Sequence, residues 1–121
     1  MTAAAAHAQP RPAFSFGATI LGHPYTVSID RNGEVHHTGQ LVRLATEHLT
    51  SAQMAALNRL ATAIHFSTLP ALTRCPGAPP APETTWVRVG LKKVEVLGTC
   101  LARYQRLLKA LQAAVHVTTT G

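Results

Sequence analysis

Two cysteines, Cys75 and Cys100, lie 25 residues apart and bracket the least regular part of the chain. The segment from Thr73 to Glu83 holds Pro76, Gly77, Pro79, Pro80 and Pro82, so it is expected to be a long loop with no regular element. Cys100 stands where an apolar helical pattern begins. A disulfide between them would anchor a loop with poor hydrogen-bonding prospects to the core. In the chain-entropy picture a loop of this length gives roughly 3 kcal/mol, from which native-state strain subtracts. Two alternatives stay open at this stage: a pair of buried free thiols, and Cys100 as a thiol nucleophile activated at a helix N-terminus. Against the nucleophile, Cys100 falls on the core-facing arc of its helix, and no Cys-His-Asn signature surrounds it.

The 121 residues suffice for one domain. Hydrophobic residues make up 46% and charged residues 13%, which favours a packed core over disorder. No apolar run approaches the roughly 20 residues of a membrane-spanning helix. The start, with Ala6-His7-Ala8 and small residues at the −3 and −1 positions of a cut after Ala8, resembles the end of a secretory signal peptide. Residues 1–12 are therefore expected to be a flexible leader or signal-peptide remnant. The expected location is periplasmic or secreted, or cytoplasmic if the Ala-rich leader is no signal.

Within residues 13–117 a single α+β domain is expected, with 118–121 a frayed tail. Phe14-Ser15-Phe16 begins a first strand. Tyr25 to Ile29 alternates apolar and polar residues and returns through the turn Asp30-Arg31-Asn32-Gly33 as Glu34 to Thr38. The stretch Gln40 to Leu49 has no clean period. Thr50 and Gln53 form a capping box that starts a helix over about Ser51 to Ile64, with Met54, Leu57, Leu60, Ala61 and Ile64 as its buried stripe. A second hairpin follows over Thr84 to Leu97, with Val87, Val89, Val94 and Val96 on one face. A second helix runs from about Cys100 or Leu101 to Val115. These elements predict an α+β layer: an antiparallel sheet built from two hairpins, with two helices packed on one face.

The strand-turn-strand from Tyr25 to Val35, the Leu49-Thr50 helix start with Leu57 and Phe66, the proline loop with Cys75, and Gly98-Thr99-Cys100 before the last helix give the chain a loose family likeness. Over about residues 25–115 it resembles a family of small, uncharacterised bacterial exported domains, some of them lipoproteins. The resemblance implies this fold and export. It transfers no activity and no catalytic residue.

No catalytic, cofactor or metal residues are singled out. The seven histidines show no H-x₃-H or H-x-H spacing, and His36 and His37 point to opposite faces of a strand. G-x-S-x-G, P-loop and G-x-G-x-x-G motifs are absent. The remaining candidates are basic. The net charge of +6 is concentrated after residue 83, in Arg88, Lys92 and Lys93 of the second hairpin and Arg103, Arg106 and Lys109 of the last helix. They are the candidate contacts for an anionic partner. Trp86 is the single aromatic near them and is expected in the core. The reading is a non-catalytic binding or interaction module of the cell envelope or secreted fraction, with an unidentified protein as partner. The rival readings are a binder of nucleic acid or another anionic surface, and a thiol enzyme using Cys100.

Overall fold

The computed structural model describes residues 12–20, 22–39, 42–77 and 84–119. The leader, apart from Pro12, and most of the proline loop lie outside the described residues. Phe14–Ile20 forms β1, His23–Ile29 β2 and Val35–Thr38 β3. Val42–Leu44 is β4, and Ser51–Ala63 is the first helix, α1. A 3₁₀ turn at Phe66–Thr68 leads to β5, Leu72–Arg74. Thr84–Val89 and Lys92–Leu97 are β6 and β7, Ala102–Val115 is α2, and Val117–Thr119 is β8.

Six strands make one sheet in the order β3-β2-β1-β6-β7-β5, and β4 pairs with β8 in a separate ribbon. The sheet is mixed, because β5 runs parallel to β7 while the other pairs are antiparallel. This corrects the expectation of a purely antiparallel sheet. The strands of the two halves do meet, but through β1, which is hydrogen-bonded to β2 on one side and β6 on the other.

Two other expectations are corrected. Thr73 and Arg74, assigned to the loop, are in β5. The sequence there is short and prolines follow it, but the parallel ladder supplies partners: Glu95 N–H donates to Ala71 O and Cys75 N–H to Leu97 O, each at 2.9 Å. Thr118 and Thr119, assigned to a frayed tail, pair with Arg43 and Val42.

Alternation divides the sheet into two unlike faces. Phe14 and Phe16 of β1, Val27 and Ile29 of β2, Val87 of β6 and Val94 and Val96 of β7 are fully buried. They form one core with Met54, Leu57, Ala61 and Ile64 from the end and stripe of α1, and with Tyr104, Leu107, Leu108, Leu111 and Val115 of α2. Burial of apolar surface on this side is the main stabilising term. The capping box is present: Gln53 N–H donates to Thr50 Oγ1 at 3.1 Å, and Thr50 N–H donates to Gln53 Oε1 at 2.8 Å. Helix α2 is tied down twice. Its Tyr104 hydroxyl meets Thr85 Oγ1 of β6 at 2.7 Å, and its Arg103 donates from Nη1 to Ile64 O at 3.1 Å, just past the end of α1. A cation there suits the partial negative charge of a helix C-terminus. No helix among the described residues is long and apolar enough to cross a membrane.

Burial pushes the Tyr104 phenol up to about 12 from 10.0, against a lowering effect of the Thr85 hydrogen bond. The folded protein therefore holds this proton more tightly than the unfolded chain between pH 10 and about 12. The matching stability is present below pH 10 and is lost as pH rises through the folded value. Spectrophotometric titration of phenolate should show Tyr104 ionising late, together with alkaline unfolding. Tyr104→Phe should flatten the fall in stability across that range. An unchanged slope in the variant would contradict this assignment.

Candidate functional site

The face of the sheet turned away from the helices carries no packed element among the described residues. The registers define what lies on it. One row crosses all six strands: Thr38, Thr26, Gly17, Trp86, Glu95 and Leu72. Beside it, Ser28, Ser15, Arg88 and Lys93 form a second row. On the other side, Leu97 stands next to Thr84 and Arg74.

Trp86 therefore sits mid-sheet on the outer face and is half-buried, not in the core as expected. Its neighbours explain how a large indole lies there. Gly17 has no side chain, and a Cβ added to it would stand 2.7 Å from Trp86 Nε1. The indole thus occupies space that only glycine leaves free. Above the ring, Lys93 Nζ is 5.0 Å from the centroid, a cation–π contact. Arg88 and Arg74 are exposed, and Leu72 keeps 51% of its surface in solvent. The single acid in these rows is Glu95. Trp86 and Leu72 thus flank Glu95 in one row, with Arg88 and Lys93 in the row on one side and Arg74 in the row on the other.

The six basic residues singled out from sequence do not form one patch. Arg88 and Lys93 are direct cross-strand neighbours on the outer face. Lys92 pairs with Val89 and lines a recess with Asn58, Thr62 and His65, toward the helices. Arg103 is engaged with Ile64 O. Arg106 and Lys109 are exposed on α2, which packs on the opposite face of the sheet. Arg74 was missed because the proline-rich stretch around it concealed β5.

Cys75 and Cys100 form a disulfide, with Cα atoms 5.5 Å apart. Cys75 is buried, but Cys100 is exposed, because α2 begins at Ala102 and the core-facing arc does not extend back to Cys100. Cys100 N–H donates to Cys75 Sγ at 3.0 Å. Gly98, at φ +103°, passes so near that a Cβ would stand 2.7 Å from Cys75 Cβ. In the oxidised protein neither sulfur is a free nucleophile. The bond links the end of β5 to the start of α2, and so fixes the edge strand that carries Leu72 and Arg74.

Comparison of the chain with family models, with curated proteins and with solved structures gave no match.

Replacing both cysteines, Cys75→Ser with Cys100→Ser, should lower stability by up to about 3 kcal/mol, read as a lower urea midpoint. Reductant should bring the parent chain to a similar midpoint. A parent midpoint that does not move on full reduction would show that the bridge adds no stability.

Proposed function

We propose that this chain is a non-catalytic interaction module that docks an acidic segment of a partner protein on the outer face of its sheet. One observation carries the reading: half-buried Trp86, under the Lys93 ammonium, lies with Arg88 on a face that no element covers among the described residues, and Arg74 stands on the edge strand of that same face. Folding does not need these side chains there, since the core is complete on the other side. Aromatic and arginine residues at the centre of an exposed patch are the usual anchors of protein–protein recognition. Carboxylates on the partner would complement the three cations, and an apolar side chain would cover Trp86 and Leu72.

The disulfide favours an oxidising compartment, which supports a periplasmic or secreted location. A nucleic-acid reading is weaker. The cations are divided between two sides of the molecule, and Trp86 offers one stacking surface where single-strand binders use several.

Trp86 is the sole tryptophan, so its emission reports on this face alone. Titration with a glutamate- and leucine-rich peptide should shift that emission at low salt. Arg88→Glu with Lys93→Glu should abolish the shift, and Arg106→Glu with Lys109→Glu on the far side should preserve it. Equal loss in both double variants would contradict the reading, as would an emission unaffected by peptide yet shifted by single-stranded DNA.

A further inference from the structure

We propose that Asp30, Glu34 and His36 form a binding site for one divalent cation of borderline softness, of the zinc type. They lie at the turn between β2 and β3, and their donor atoms all fall within 4.8 Å of one another. His36 Nε2 is 3.1 Å from Asp30 Oδ2 and 3.7 Å from Glu34 Oε1. Ligands bound tetrahedrally to zinc, with bonds near 2.0–2.1 Å, stand about 3.3 Å from each other. Both distances from His36 are already near that spacing, and the two carboxylates lie within 4.8 Å of each other.

A single hydrogen bond satisfies only part of the set. A ring nitrogen carries at most one hydrogen, so His36 Nε2 can serve one carboxylate oxygen by hydrogen bonding. Here two carboxylates converge on it. A cation among the three atoms would take one lone pair from each and relieve the repulsion between Asp30 and Glu34. The protein is basic overall, yet three of its five acids, Asp30, Glu34 and Glu47, are gathered at this corner. One imidazole with two carboxylates suits zinc or a similar ion better than magnesium or calcium, which prefer all-oxygen shells.

The turn that holds the donors is fixed. Asp30 N–H donates to Glu34 O and Gly33 N–H to Asp30 O, both at 2.9 Å, and Glu34 N–H donates to Asn32 Oδ1 at 3.1 Å. Leu49 N–H reaches Gly33 O at 2.8 Å, which joins the turn to the segment before α1. Ile29, beside Asp30, is fully buried. Backbone held in this way limits the ordering cost of binding an ion. Three protein ligands leave a fourth position open to water or to a donor from outside the chain. Glu34 also lines a recess of about 460 Å³ with His37, Glu47 and His48. Those residues are the competing location for an ion.

The test uses the full chain without a histidine tag, titrated with Zn²⁺ and followed by calorimetry and by the NMR signals of the imidazole rings. One equivalent should bind, with the His36 ring shifting first. His36→Ala should weaken binding by at least about tenfold, as should Glu34→Gln or Asp30→Asn. His37→Ala should leave it unchanged, and excess Mg²⁺ should not compete. Melting curves of the metal-free variants identify any that fold poorly. Glu34 and His36 are exposed, so Glu34→Gln and His36→Ala should melt like the parent. The proposal is overturned if no stoichiometric binding occurs, if His36→Ala binds as tightly as the parent, or if binding is lost with His37→Ala or His48→Ala instead.

Discussion

Strand β1 holds the two halves of the sheet together, because it is hydrogen-bonded to β2 along one edge and to β6 along the other. Phe14 and Phe16 point inward and are fully buried, whereas Ser15 and Gly17 point outward. A slip of one residue would drive both phenylalanines into solvent and place serine and glycine in the core. The register with β2 and β6 is therefore strongly specified. Without this strand the sheet would part into a two-stranded β2–β3 ribbon, marginal on its own, and a separate β6–β7–β5 piece.

The same alternation makes the two faces of the sheet unlike. Phe14, Phe16 and Ala18 of β1 belong to the core that holds both helices, while Ser15 and Gly17 between them are small. Gly17 is the clearest case: its missing side chain lets Trp86 lie across the centre of the sheet. Packing on one face thus determines what is displayed on the other. At the far edge the disulfide does comparable work. It ties β5, only three residues long, to the start of α2 and keeps Leu72 and Arg74 in the plane of the sheet. If the proposed docking takes place there, that rigidity would reduce the conformational entropy lost on binding.

Much of this was legible in the sequence. The capping box at Thr50 and Gln53, the alternation over Tyr25 to Ile29, and the apolar stripe of α2 each come from short-range chemistry. The pairing of Cys75 with Cys100 was expected ahead of free or reactive thiols, and the bond is present. Elements that exist only through distant partners were hidden. Strand β5 is three residues beside a run of prolines, and it is defined by hydrogen bonds to β7. Strand β8 depends in the same way on β4. Trp86 was a different kind of miss. If Val87 and Val89 face the core, a period of two sends Trp86 and Arg88 the other way, so its position was implied but not drawn. The Asp30, Glu34 and His36 cluster escaped because its spacing is D-x₃-E-x-H across a turn, and only histidine pairs were weighed.

The central claim is that Trp86 lies on an open, cationic face and not in the core. Quenching of its fluorescence by iodide and by caesium in the free protein tests this most directly. The single indole should be accessible, and iodide should quench it more strongly than caesium, because Lys93 and Arg88 concentrate the anion and repel the cation. Added inert salt should shrink the difference. An indole that neither ion reaches, or one quenched better by caesium, would contradict the account.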